Sequence, residues 1–263
     1  MIILKIGGGR EINIKGIISD LSEQDEQFII VHGANALRDE IAEKLGITKK
    51  VMTSVAGYSS VYSDKDVIDL QMMAYAGLKN KRIVELCQQH GINAIGLSGI
   101  DGKIIQGQRN KGIRVYENKK IKIFRDLSGK PKSINTDLLN LLLVNGYTPV
   151  LCVPIIDENN FAINSENDDI VLELHMSMKS RIIIQLIEAS GFLDDSKNPN
   201  SLVKTIAAAD LIQKEDQAKG RMKRKMLALR KLFDGGEATV IISDGRVDNP
   251  LKDALAGNGT VIS

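Results

Sequence analysis

Short apolar runs alternate along the chain with segments whose apolar residues recur at helical spacing. Six such runs predict strands, at residues 2–6, 27–32, 92–98, 148–156, 181–187 and 238–243. Four segments between them predict helices, at residues 35–46, 65–91, 134–146 and 169–178. Strands that are apolar throughout are typical of a parallel sheet covered on both faces. We therefore expect an α/β fold, a three-layer sandwich with a mostly parallel central sheet.

One stretch interrupts the alternation. Residues 103–126 alternate apolar and polar positions, and the polar sequence YENKKIKI at 116–123 supplies a turn between two such runs. This pattern predicts β-ribbons that protrude from the sandwich. A soft boundary falls near residues 157–164, after the fourth predicted strand.

Bulk composition restricts the class of protein. A hydrophobic content of 43% and a charged content of 26% over 263 residues are typical of a globular domain. The net charge of +2, with 4% aromatic residues and no tryptophan, argues against general nucleic-acid binding. Cys87 and Cys152 lie in apolar surroundings and read as reduced core thiols. The sequence shows no export signal and no apolar run of about 18 residues, so we expect a cytoplasmic protein without a membrane span.

Glycines follow the first two predicted strands. Lys5 precedes Gly7, Gly8 and Gly9, an arrangement in which backbone amides and a lysine face a bound anion, although a plain flexible turn explains it equally well. After the second strand, the amides of Gly33 and Ala34 point into the same crevice if the strands are neighbours.

Two later segments carry polar and basic residues. Asn164 and Asp168 lie between a strand and a helix, where they face the crevice or merely cap the helix. Residues 219–231, KGRMKRKMLALRK, open a basic amphipathic helix. Its lysines either form a solvated face or assist phosphoryl transfer, a reaction that needs positioned cations more than covalent chemistry.

The order of these motifs resembles the amino acid kinase family, over almost the whole chain. Within the family, the stretches NKRIVELCQQHGINAIGLSGIDGK, AKGRMKRKM and DGRVDNPLKDALAGNGTVI look most like the group of acetylglutamate kinases and LysW-aminoadipate kinases. The resemblance implies ATP-dependent phosphorylation of a side-chain carboxylate to an acyl phosphate, in lysine or arginine biosynthesis. It implies ATP with Mg²⁺ as cofactor and no dedicated metal site in the protein.

The resemblance also implies roles for matching positions. Lys5 contacts the transferring phosphoryl group, Lys225 neutralises charge on its nucleotide side, and Asp168 orients both lysines. The phosphate-binding backbone is implied at Gly7, Gly8, Gly33 and Ala34. Substrate contacts are implied at Asn164, Val61 and Ser63. Nucleotide contacts are implied at Glu188, Gly191, Gly220 and Met222.

Lobes and partners follow from the same resemblance. Residues 1–160 are expected to bind the acyl acceptor and residues 161–263 to bind ATP, on one continuous sheet, in a homodimer. The acceptor is a small molecule or is held on a small acidic amino-group carrier protein. The resemblance implies that this carrier docks on basic residues of the ribbon. The same residues are also explained as solvated lysines that protect the edge strands of the ribbon from pairing with other chains. These residues are Arg109, Lys111, Arg114, Lys119, Lys120, Lys122 and Arg125.

The sequence departs from the family pattern where ligands are recognised. Ala34 replaces a glycine, Val61 stands where the family has an arginine that grips the substrate, and residues 186–188 differ from the usual strand end. The phosphoryl-transfer residues are retained: Lys5, Gly7, Gly8, Asp168 and Lys225. The departures leave two explanations open: an active kinase with a changed substrate, or a divergent, catalytically weak homologue that binds a carrier protein or nucleotide. The intact phosphoryl-transfer residues favour the first.

Overall fold

The computed structural model describes residues 1–57, 59–117, 120–195, 198, 200–217 and 220–263. The strands, in chain order, are β1 (Ile2–Ile6), β2 (Phe28–His32), β3 (Val51–Thr53), β4 (Ser59–Val61), β5 (Ala94–Ser98), β6 (Ile105–Arg109), β7 (Ile113–Glu117), β8 (Lys120–Phe124), β9 (Gly129–Ile134), β10 (Thr148–Cys152), β11 (Ile155–Ile156), β12 (Ala162–Ile163), β13 (Ile182–Ile187), β14 (Thr205–Ile206), β15 (Thr239–Asp244) and β16 (Thr260–Ile262). The α-helices are α1 (Ile14–Leu21), α2 (Asn35–Lys44), α3 (Lys65–Gln71), α4 (Asn80–Gln89), α5 (Thr136–Val144), α6 (Asn167–Met178), α7 (Leu211–Gln217), α8 (Gly220–Asp234) and α9 (Pro250–Leu255).

A central sheet of eight strands has the order β14-β16-β15-β13-β1-β2-β10-β5. All neighbouring strands run parallel except β15 and β16, which are antiparallel. This confirms the predicted mostly parallel sheet. The strands of residues 161–263 form one half of this sheet and those of residues 1–160 form the other. The two halves join where β1 pairs with β13, so the sheet is continuous.

The residues of β1 explain why both faces of the sheet are covered. Ile3 packs into a core with α5, α6 and α8, whereas Ile2 and Leu4 pack into a second core with α1, α4 and α9. Every residue of β1 and β2 is buried. A strand with apolar side chains on both faces is stable only between two helical layers, as the sequence predicted.

The segment predicted as one long helix, residues 65–91, is helical from Lys65 to Gln89. It changes hydrogen-bond pattern in the middle, where a π-helical segment (Met72–Lys79) joins α3 to α4. Asp64 caps the start, accepting a hydrogen bond of 3.0 Å from the Val67 N–H. Short π-helical insertions in α-helices are frequently found at functional sites.

Smaller sheets lie beside the central one. Strands β12, β11, β6 and β9 form a four-stranded sheet, while β3–β4 and β7–β8 are antiparallel hairpins. The β7–β8 hairpin is the protruding ribbon that the sequence predicted, whereas β6 pairs outside the stretch 103–126, with β9. The two hairpins touch through a hydrogen bond of 2.8 Å from the Val55 N–H to the Arg114 carbonyl.

Candidate active site

A large cleft opens where β1, β2 and β13 end. Its volume is about 910 Å³, and the loop from Gly7 to Glu11, the start of α2, the β4 strand and the start of α6 line it. Ligands of open parallel sheets bind at the carboxyl ends of the strands. The cleft is therefore the candidate active site.

A cluster of two lysines and one aspartate lies at the bottom of the cleft. Lys5 Nζ donates a hydrogen bond to Asp168 Oδ1, and Lys225 Nζ lies 3.6 Å from the same oxygen. Lys225 Nζ also donates to Gln185 Oε1 at 2.5 Å. Gln185 pairs with Lys5 in the register of β1 and β13, so the side chain that accepts from Lys225 lies beside Lys5. The structure thus brings Lys5 together with Asp168, which lies 163 positions further along the chain, and with Lys225.

Burial and charge shift the ionisation of this cluster. Burial alone raises the pKa of the Asp168 carboxyl, but the charges of Lys225 and Lys5 outweigh burial and hold that pKa well below its usual range. Burial lowers the pKa of the Lys225 ammonium to about 8, although Asp168 opposes the shift. The N-terminus of α6 further favours the Asp168 anion. Asp168 is therefore ionised at neutral pH. The ammonium group of Lys225 loses its proton at a pH slightly above neutral.

The glycine loop after β1 packs closely against the turn after β2. A Cβ atom on Gly8 would lie 2.7 Å from the backbone nitrogens of Ala34 and Asn35. The N–H groups of Gly7 and Gly33 donate to the carbonyls of Leu186 and Ile6, at 2.9 Å each, and so extend the sheet. Within the described ranges, the Gly8 N–H donates to no protein group. Of the three predicted glycine donors, Gly8 is the one whose amide stays available to a ligand.

Ala34 does not adopt the left-handed backbone conformation that favours glycine. Its φ is −147°, and its methyl group is buried in the core. Its N–H faces the buried Tyr75 hydroxyl. The alanine therefore replaces the expected glycine without the left-handed backbone that would exclude a side chain.

The predicted substrate residues lie together at one end of the cleft. Asn164 Nδ2 donates to Ser63 Oγ at 3.0 Å, and Ser63 Oγ in turn donates to the Val61 carbonyl at 3.2 Å. Val61 and Asn164 line the cleft. In the same wall, the buried atoms Ser165 Oγ and Asn167 Oδ1 have no hydrogen-bond partner among the described residues. Unsatisfied polar atoms in a cleft wall are suited to binding a polar ligand.

Of the residues predicted to contact the nucleotide, Glu188 lines the cleft and Gly191 does not. Glu188 lines the opposite end of the cleft, and its Oε1 accepts a hydrogen bond of 2.7 Å from the Glu11 N–H. Gly191 has a φ of +150° in a turn packed against Thr260, and it is not among the described residues that line the cleft. Gly220 and Met222 belong to the first turns of α8, where the surroundings of these two residues fall outside the described part of the structure. Nucleotide contacts at these positions stay predictions.

The ribbon presents basic and apolar side chains to solvent. Lys111, Arg114, Lys120, Lys122 and Arg125 are exposed. Beside them on β7 and β8, the apolar side chains of Tyr116, Ile121 and Ile123 are more than half exposed.

Some of the ribbon charges are already paired. Lys122 Nζ lies 2.5 Å from Glu117 Oε2. Arg109, at the ribbon base, pairs at 2.7 Å with the buried Asp157. Lys119 lies outside the described residues. Among the described ribbon residues, Arg114, Lys120 and Arg125 are exposed and form no ion pair, so their charges are available to a partner.

His32, next to the glycine loop, is structural. It is fully buried, its Nε2 lies 3.1 Å from Asn80 Nδ2, and burial lowers its pKa to about 3. A neutral, enclosed imidazole of this kind supports the strand end and does not exchange protons with a ligand.

Three polar residues of the site were missed by sequence reasoning, and each left a signal. Gln185 is a polar residue in the apolar run of β13. Arg38 shares with Ala34 and Ala42 the four-residue spacing of a buried helix stripe. Gln71 ends α3 at the change to π-helix and is buried in the cleft wall.

Comparison with known proteins identifies the family. A family model described as "Amino acid kinase family" matches residues 1–244. The chain belongs to the amino acid kinase family. It is 37% identical over 268 residues to the LysW-aminoadipate kinase of Thermus thermophilus, with 100% of both chains covered. It is 31% identical over 269 residues to the LysW-aminoadipate/LysW-glutamate kinase of Sulfolobus acidocaldarius, again with 100% of both chains covered.

The fold of this amino acid kinase family member is also similar to a solved structure of N-acetylglutamate synthase from Neisseria gonorrhoeae. The TM-score is 0.78 at 17% identity, over 100% of this chain and 59% of that one. This likeness supports the fold alone. Among the described residues, none of the helices has the length and apolar character that a bilayer crossing requires.

Proposed function

We propose that this chain is an ATP-dependent kinase that phosphorylates the side-chain carboxylate of an N-blocked amino acid. The observation that carries the proposal is the buried cluster of Lys5, Asp168 and Lys225 at the bottom of the cleft. Two ammonium groups and one carboxylate leave a net positive charge where a phosphoryl group would sit. The names of the relatives supply the acceptor class, aminoadipate or glutamate linked to LysW.

The reaction needs positioning rather than acid–base catalysis. A carboxylate oxygen of the acceptor forms a bond to the γ-phosphorus while the bond to the β,γ-bridging oxygen breaks, and ADP departs with that electron pair. The acceptor carboxylate is already deprotonated at neutral pH, so no general base is required. Lys5 stabilises charge on the transferring group, Lys225 stabilises charge on the nucleotide side, and Asp168 holds both lysines in place. The Gly8 N–H donates to the phosphoryl oxygens.

We assign the acceptor to the end of the cleft formed by residues 1–160 and ATP to the end formed by residues 161–263. The β3–β4 hairpin and α2 wall the first end, whereas Glu188 and α8 wall the second. Lys5 and Gln185, on adjacent strands, mark the junction at which the phosphoryl group passes.

Mg²⁺ belongs to this proposal as the counter-ion of ATP. Magnesium prefers phosphate oxygens and water, supplemented by one or two carboxylates. Asp168 is the carboxylate at the phosphoryl position, but both lysines already hold it. We therefore assign the metal to the phosphate oxygens and water, where it neutralises charge on the nucleotide.

A carrier-linked acceptor fits a second cavity that continues the cleft. This cavity, of about 490 Å³, shares Ser60, Val61 and Asn164–Glu166 with the cleft. It extends from there between the β3–β4 hairpin and the start of β7, the first strand of the ribbon. An acceptor held on a carrier needs such a passage for the arm that links it to the carrier surface. The exposed ribbon, with lysines beside apolar side chains, suits an acidic protein at the mouth of the passage.

One assay tests the proposal. The protein is incubated with Mg-ATP, an acceptor and hydroxylamine, which converts an acyl phosphate to a hydroxamate that is measured as its coloured ferric complex. The acceptors are N-acetylglutamate, N-acetyl-α-aminoadipate and the same amino acids linked to LysW. Hydroxamate formation by the wild type supports the kinase. Its absence with every acceptor, together with binding of the carrier, would instead indicate a binding protein.

A further inference from the structure

We propose that Arg38 binds the α-carboxylate of the acceptor and that Gln71 accepts a hydrogen bond from its blocked amino group. The inference rests on the proposed function and deepens it, because it assigns the residues that select the acceptor. An N-blocked acidic amino acid carries two carboxylates. One must reach the phosphoryl group, so the other requires a second cation in the cleft.

The cleft offers one buried cation away from the phosphoryl position. Among the described residues that line it, the cationic side chains are Lys5, Lys225, Arg10 and Arg38. Lys5 and Lys225 hold Asp168, and Arg10 is exposed. Arg38 is only 5% exposed and lines the acceptor end.

The guanidinium of Arg38 is anchored but not saturated. Its Nε and Nη2 both donate to Asp39 Oδ1, at 2.9 and 2.7 Å. The same oxygen lies 2.6 Å from Lys49 Nζ, so two cations share one carboxylate and the group keeps a net positive charge. Within the described ranges, Arg38 Nη1 donates to no protein group. A fixed guanidinium with free donors is the arrangement that binds a carboxylate well.

Gln71 supplies an independent observation that points to a ligand. Its side chain is 1% exposed, it lines the same cleft, and its Oε1 has no partner among the described residues. A buried acceptor left without a donor is costly unless a ligand satisfies it. The N–H of an acylated amino group is such a donor, whereas a phosphate oxygen is not.

The β4 strand facing this end adds no competing cation. It contributes Ser59, Ser60 and Val61 to the lining, which are neutral. Recognition of the acceptor's second carboxylate therefore depends on α2 rather than on the hairpin.

Equilibrium binding tests the assignment without requiring turnover. The probes are N-acetyl-L-α-aminoadipate and its α-carboxamide, measured by calorimetry with the wild type and with Arg38→Gln, Gln71→Leu and Asp39→Asn. We expect the wild type to bind the carboxylate roughly 10- to 100-fold more tightly than the carboxamide, and Arg38→Gln to bring this ratio near one. Gln71→Leu should weaken both probes alike, because both carry the N–H.

Asp39→Asn is the matched control, since it breaks the same ion pair but keeps the guanidinium, and it should retain most of the selectivity. The inference is overturned if the wild type binds neither probe, if Arg38→Gln keeps the ratio, or if Asp39→Asn abolishes it equally. Turnover measured in parallel separates this inference from the proposed function. Selective binding without acyl phosphate sinks the kinase alone, and acyl phosphate with an unchanged ratio sinks the role of Arg38 alone.

Discussion

The lowered pKa of Lys225 predicts that ATP utilisation falls at mildly alkaline pH. The neutral amine does not stabilise phosphate, so only protein with a protonated Lys225 is competent. Burial lowers this pKa to about 8 in the free protein, below the usual value of 10.5, and so favours loss of the proton as pH rises. The decline therefore starts below pH 8, at a pH where an ordinary lysine is still fully charged.

The size of the effect follows from the fraction protonated. A group with a pKa of about 8 is about 90% protonated at pH 7 and about 10% at pH 9. Since kcat/KM reports ionisations of the free enzyme, its value for ATP should fall roughly tenfold over this range. Bound phosphates stabilise the ammonium, so the decline in kcat should appear at higher pH than the decline in kcat/KM.

A coupled assay for ADP release across pH 6.5–10 gives both kcat and kcat/KM. Lys225→Arg is the matched variant, because arginine keeps its charge throughout this range. Its kcat/KM should stay level to pH 9.5, whatever its absolute value. A wild-type profile that is level to pH 9.5, or an arginine variant that declines in parallel with the wild type, would refute the reasoning.

Three further predictions concern the loop, the cluster and the ribbon. Gly8→Ala places a methyl group 2.7 Å from the Ala34 nitrogen, so it should abolish the rise in melting temperature that ATP causes in the wild type; a rise of wild-type size would contradict the role of the loop. Asp168→Asn leaves two buried ammonium groups uncompensated and should lower the free energy of unfolding by about 3 kcal/mol, as measured in urea; an unchanged midpoint would count against the cluster. Lys120→Glu with Lys122→Glu should raise KM for a LysW-linked acceptor by about tenfold and leave N-acetyl-α-aminoadipate unaffected; equal effects on both would argue against docking on the ribbon.

The sequence predicted the parts of the site that depend on topology. Parallel strands end at the same edge of a sheet, so the glycines after β1 and β2 were expected to meet there. Asp168 follows β12, which belongs to the second sheet, so its contact with Lys5 was implied by the family resemblance and not by the strand pattern. The apolar runs identified β1, β2 and β13 as central strands of the sheet, because a strand that is apolar on both faces must be covered on both.

Details that depend on register and packing were beyond the sequence. Whether the Gly7 and Gly33 amides face a ligand or the sheet depends on which carbonyl lies opposite, and the structure places Leu186 and Ile6 there. The partner of β6 is β9 rather than a strand within 103–126, because a long-range pairing completes the second sheet. Helix α1 contains Gly16, a residue that disfavours helix in isolation, because that glycine packs closely against the Asp248 carbonyl.

The central claim is that the cluster at the bottom of the cleft transfers a phosphoryl group to a carboxylate. Hydroxamate trapping with a LysW-linked acceptor, compared between wild type and Lys225→Ala, tests it most directly. The account predicts hydroxamate from the wild type and a loss of about 100-fold or more in the variant, the scale expected when a charge-stabilising group is removed. Hydroxamate formed at equal rates by both proteins would contradict the account.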